Sequence, residues 1–98
     1  MSDLKPQTGA RFVLELVSEA DDGTTAQYRA VIATPTDELE STATLSDDGE
    51  VTLPPLGAPR NLEGALHMFA KLVARGASKR RLDGLAVWPH RVMRWRPG

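Results

Sequence analysis

The chain is 98 residues long, 41% hydrophobic and 26% charged, with no cysteine. That composition fits one globular domain with a single modest core, and it excludes disulfides, thiolate catalysis and cysteine-type zinc sites. The net charge of −1 hides a division: residues 1–58 carry three basic and eleven acidic side chains, a net −8, and residues 59–98 carry nine basic and two acidic, a net +7. Asymmetry of this kind points to a surface that meets an anionic partner, or one that meets the chain's own acidic half.

Residues 1–11 include Asp3, Lys5, Pro6 and Gly9 and are too polar for a signal peptide. Apolar runs are only a few residues long, so no membrane span and no membrane partner are expected, and a cytoplasmic location follows as the simplest expectation. The whole chain, 1–98, reads as a single domain, with 1–10 as a flexible N-terminus broken by Pro6 and Gly9.

From Arg11 to Glu19, Phe12, Leu14 and Leu16 alternate with Arg11, Val13, Glu15, Val17 and Glu19, the pattern of a half-buried strand. Asp21-Asp22-Gly23 is a turn signal, which makes Thr25 to Thr34 the hairpin partner with Tyr28, Ala30 and Ile32 on its inner face. Pro35 stops that strand. Asp37 to Leu45 alternates again, but Ser41 and Ala43 weaken its inner face. It is predicted near the sheet edge, where Glu38 and Glu40 deter stray pairing. A second Asp-Asp-Gly at 47–49 leads into a short strand, Glu50 to Leu53. Neither turn has the further oxygen ligands and the distant glutamate of a calcium-binding loop.

The connector Leu53 to Pro59 is proline-rich and extended. The stretch Arg60 to Arg81 then holds an amphipathic helix, with Asn61 as its predicted N-cap and Gly76 as its C′ residue. Leu62, Ala65, Leu66, Phe69, Leu72 and Val73 form its apolar stripe. Gly64 costs helix propensity, and close packing on the sheet is the expected compensation. Glu63, His67, Lys71 and Arg75 follow the polar face at four-residue steps. Ala77 to Asp83 reads as a loop or a short second helix, and Leu85 to Trp88 as a buried run. Val92 to Arg96 reads as a last strand with Met93 and Trp95 on one face and Val92, Arg94 and Arg96 on the other.

The order β-β-β-β-α-β predicts an α+β fold, an antiparallel sheet of four to five strands with one main α-helix packed across one face. The predicted core is Phe12, Leu14, Leu16, Tyr28, Ile32, Leu39, Leu45, Val51, Leu53, Met93 and one tryptophan, beneath Leu62, Leu66, Phe69 and Val73.

No catalytic residue, cofactor or metal is predicted. His67 has Glu63 one turn before it, but the nearest nucleophile, Ser78, lies in no nucleophile elbow. His67 and His90 lack a third ligand beyond an ordinary Asp83. Arg75 to Lys79 lacks the Gly-Lys-Ser/Thr core of a phosphate loop. The chemistry therefore rests on the basic residues. Lys71, Arg75, Lys79, Arg80 and Arg81 gather around one helix end, and Arg91, Arg94, Trp95 and Arg96 come from the last strand. They predict a non-enzymatic binding module that docks on an acidic protein surface or forms a homo-oligomer, with edge strands and Trp95 supplying hydrogen bonds and an anchor. The alternative partner is nucleic acid, single-stranded DNA or RNA, for which cations and aromatics supply phosphate contacts and stacking. The same cations also complement a helix C-terminus, and a single anionic binding site requires the two groups to be adjacent on one surface.

Overall fold

A computed structural model describes residues 5–97. Five strands and two helices follow in the order β1 (Ala10–Glu19), β2 (Thr25–Ala33), β3 (Glu38–Ser46), β4 (Val51–Thr52), α1 (Arg60–Arg75), α2 (Ala77–Leu82) and β5 (Arg91–Arg96). The strands form one sheet in the order β4-β3-β2-β1-β5, and every neighbouring pair is antiparallel. This is the α+β arrangement expected, with α1 across one face. The expected flexible terminus lies partly outside the described residues; within them Pro6 is buried and Ala10 already belongs to β1.

Alternation explains the face under α1. Phe12, Leu14, Tyr28, Ala30, Ile32, Ala43 and Leu45 point to it and join Leu66, Phe69, Ala70, Val73 and Ala74 in the core. Trp88 is the tryptophan of that core. Its ring meets Tyr28 edge-on, with centroids 6.4 Å apart. Trp88 reaches it from the irregular segment between α2 and β5, whose Leu85 and Ala86 are exposed, so the expected buried run contributes chiefly one side chain. Met93 is not core: it lies opposite Val13 on the other face and remains 49% exposed, while Val92, opposite Leu14, packs inward. The phase of β5 is fixed by its pairing with β1, which a six-residue strand of mixed character does not reveal.

The opposite face is covered without a second layer of structure. Val13, Val31 and Ala33 are fully buried there. Arg29 lies among Glu15 (2.8 Å), Glu40 (2.6 Å) and Glu38 (3.8 Å), an ion-pair roof in which its long side chain shields the valines beneath. Burial works against the Arg29 charge, but hydrogen bonds to Glu40 and Glu15 outweigh it and hold the guanidinium more firmly protonated than usual. Near the end of β1, Val17 is the extra residue of an irregularity between Leu16 and Ser18, which leaves it exposed.

Four helix expectations change. Asn61 is not the N-cap: the helix opens at Arg60 after Pro59, no side chain caps it, and the Pro59 carbonyl accepts from the N–H groups of Leu62 and Glu63. Gly76 is not left-handed. With φ −80° it carries the chain directly from α1 into α2. A side chain there would strike the Arg80 guanidinium, since an added Cβ would sit 2.5 Å from its Nη1. Gly64 packs on nothing, with open space where a Cβ would stand. Leu72, expected in the stripe, is 50% exposed, because Ala70 and Ala74 bring the helix onto the sheet along a neighbouring line.

Candidate functional site

The two Asp-Asp-Gly turns are built alike. In each, the second aspartate accepts the backbone N–H two residues on: Thr24 to Asp22 Oδ1 (3.0 Å) and Glu50 to Asp48 Oδ1 (2.9 Å). Gly23 and Gly49 take the positive φ that each turn requires. Asp22 and Asp48 are held below the usual carboxylate range, first by those backbone N–H groups and then by side-chain hydroxyls. Both turns lie at one end of the sheet. The C-terminal part of the chain is tied to them there.

Two residues make those ties, and Tyr28 of β2 adds a third link to the same segment. Arg81 donates from Nη1 to Asp47 Oδ2 (3.2 Å) and from Nη2 to the Gly23 carbonyl (3.0 Å). The Trp88 indole donates to the same carbonyl at 2.9 Å. Tyr28 donates its hydroxyl to the Pro89 carbonyl at 2.7 Å, and burial pushes its phenol up to about 12. Arg80 works beside them. It donates from Nε to the Val87 carbonyl (2.7 Å) and from Nη2 to the Val73 carbonyl (2.6 Å), capping the end of α1 while holding the following loop. Lys79 pairs with Asp83 at 3.3 Å. The stretch Lys79-Arg80-Arg81 is therefore largely committed within the fold. Arg75 stays exposed, its Cγ beside the Gly49 turn, and Lys71 is half-buried.

The β5 residues form a separate group along the sheet's other edge. Arg94 lies on the α1 face with its guanidinium carbon 5.5 Å from the centre of the Phe69 ring. Arg94 and Arg96 border a groove of about 430 Å³ whose floor includes Phe12, Ala65, Met68 and Phe69. Arg91, Met93 and Trp95 share the opposite face. Arg91 stands 3.9 Å from Glu15, and Trp95, 51% exposed, donates its indole N–H to the Thr8 carbonyl at 3.0 Å. The predicted residues thus fall into two sets, one around the turns and one along β5, and the second presents the more accessible side chains.

The edge itself completes the site. Leu16 N–H donates to the His90 carbonyl at 2.7 Å, which sets the hydrogen-bonding phase. By the alternation of an antiparallel ladder, Val92, Arg94 and Arg96 direct their backbone groups to β1, and Arg91, Met93 and Trp95 direct theirs outward. Among the described residues nothing pairs with that outward row. The sequence marked Arg91 and Trp95 by residue type, but their backbone role depends on a strand neighbour no local pattern reveals.

The histidines are apart. His90 is exposed just before β5. His67 faces the connector, and its buried Nε2 has no hydrogen-bond partner. Glu63, the candidate to orient it, instead accepts the Leu56 backbone N–H. Among the described residues no three acidic or histidine side chains gather to hold a metal ion, and no helix is long and apolar enough to cross a membrane. No protein-family model matches the chain, and no curated protein or solved structure is significantly similar to it.

Proposed function

We propose that the chain is a small non-enzymatic binding module that adds an extended, acidic protein segment to the β5 edge. The open outward row of Arg91, Met93 and Trp95 carries this reading. An incoming strand pairs with those backbone groups, and its side chains alternate between the two faces of the sheet. On one face they meet Met93 and Trp95, the accessible apolar anchors. On the other they meet the groove beside Met68, where Arg94 and Arg96 favour carboxylates. Arg91, Arg94 and Arg96 thus select for acidic segments, while the backbone ladder supplies contacts indifferent to sequence.

Nucleic acid is the competing partner, and the separation of Lys79-Arg80-Arg81 from β5, with their internal bonds, weighs toward protein. Fluorescence anisotropy tests the choice. A short labelled peptide alternating glutamate with valine is titrated with the protein at low and high salt, beside a lysine-valine peptide and single-stranded DNA. The expected result is binding of the acidic peptide alone, weakened by salt and by Arg91→Glu. Failure of the acidic peptide to bind at low salt overturns the reading, and oligonucleotide binding in its place favours the alternative.

A further inference from the structure

The sheet has a second open edge, and its charge is opposite. β4 pairs only with Thr44 and Leu45 of β3. After Thr52 the chain leaves through Pro54-Pro55 toward the core, where Leu53 and Leu56 pack. Thr34 N–H donates to the Asp37 carbonyl and Asp47 N–H to the Thr24 carbonyl, so odd-numbered residues of β3 bond to β2. Even-numbered ones face outward, as Ser46 does in donating to Glu50. Beyond β4, the backbone groups of Glu38, Glu40 and Thr42 therefore point outward, and among the described residues none has a backbone partner. One edge of the sheet carries Glu38 and Glu40 and the other carries Arg91, Arg94 and Arg96.

We infer that the acidic segment received at β5 is the β3 edge of a second copy, so that copies join head to tail into one continuous sheet. This rests on strand docking at β5. Direction agrees first. β3, β2, β1 and β5 alternate, so β5 runs antiparallel to β3, and a copy displaced along the sheet presents an antiparallel strand with its helices on the same side. Register agrees next. Outward residues pair with outward residues when Arg91 stands opposite Glu40 and Met93 opposite Glu38. Val92 then faces Leu39, and Arg94 faces Asp37, on the helix side of the sheet. Opposite charges and apolar pairs both meet. A shift of two residues one way sets Arg91 against Thr42 and Arg94 against Leu39, which forfeits both ion pairs. The other way keeps Arg91 with Glu38 but sets Val92 against Asp37 and Arg94 against Pro35, which forfeits the apolar pair and the second ion pair. Pairing β5 with its own copy places arginines from both strands side by side, and pairing β3 with its own copy does the same with glutamates. Each edge is thus guarded against itself and complementary to the other. The contact uses two different surfaces, so it does not close on itself as a twofold dimer does.

Sedimentation velocity over a concentration series tests this. The unmodified protein is expected to form a ladder of species that grows with concentration and shrinks with salt. Met93→Pro and Glu38→Pro each remove an outward N–H without breaking a ladder bond inside the copy. Each variant alone is expected to be monomeric, and an equimolar mixture is expected to stop at the one-to-one pair, because each supplies the edge the other lacks. Arg91→Glu, an exposed change that leaves the ladder intact, is expected to weaken association about tenfold or more. A monomer at high micromolar protein and low salt overturns the inference, as does unchanged association of Arg91→Glu or a closed dimer of the unmodified protein. If the monomer still binds the glutamate-valine peptide, strand docking at β5 stands and only the identity of the strand fails. If it binds neither, both fail.

Discussion

Gly64 and Tyr28 show how a single residue's surroundings set its energetic role. Gly64 lies inside α1, exposed, with helical backbone and no atom near the place of a Cβ. Gly64→Ala is therefore expected to raise stability by about 0.5–1 kcal/mol, read as a higher midpoint in thermal or urea unfolding. Tyr28 is the opposite case. Its hydroxyl is buried and donates to Pro89, and its pKa is pushed up from 10.0 to about 12 by burial. The unfolded phenol ionises near 10.0 while the folded one keeps its proton. Stability is thus complete below that pH and declines as pH rises through the window to about 12. The loss amounts to about 2–3 kcal/mol. Tyr28→Phe is expected to lower stability at neutral pH by about 1 kcal/mol and to flatten the alkaline decline, which unfolding curves at stepped pH measure.

At the scale of elements, the twin turns anchor α2 and the Trp88 segment through Arg81 and the Trp88 indole. Asp22 and Asp48 have depressed pKa values, so their contribution is present above the ordinary value of 3.8 and is lost as pH falls through the lower folded values. Acidification below about pH 4 is expected to loosen the turns, and with them the Gly23 carbonyl that holds Arg81 and Trp88. Tryptophan fluorescence and far-ultraviolet circular dichroism across an acid titration check this. Asp22→Asn and Asp48→Asn are expected to shift the transition upward in pH.

Elements with strong periodicity were legible in the sequence: β1, β2, β3 and α1 match their expected spans within one or two residues, because period two and period 3.6 are local signals. The sense of β5 was not. Met93 and Trp95 look like an apolar face, yet Phe12, Leu14 and the helix above them already fill the core, and the register with β1 turns Val92 and Arg94 inward. The duties of Arg80 and Arg81 were equally hidden. Their acceptors are backbone carbonyls of Val73, Val87 and Gly23 and one aspartate across the fold, none of which residue type announces.

For the whole molecule, the division of charge acquires a spatial meaning: the sheet carries acidic residues on the β3 edge and basic residues on β5. The outward row on β5 has a direct signature. Amide hydrogen exchange at low protein concentration is expected to alternate, with Arg91, Met93 and Trp95 exchanging fast and Val92 and Arg94 protected. Raising the concentration is expected to slow Met93, the residue at the middle of the proposed junction. Uniform protection along β5 in dilute protein would contradict the open row. The two tryptophans make a further experiment available without any label. Trp88 sits in an apolar interior against Tyr28, whereas Trp95 stands half in solvent on the β5 edge proposed to receive a strand. Their emission separates by colour and by access to iodide: Trp88 reports whether the core is intact, and Trp95 reports whether the edge is occupied. A single cuvette can thus tell loss of binding from loss of folding.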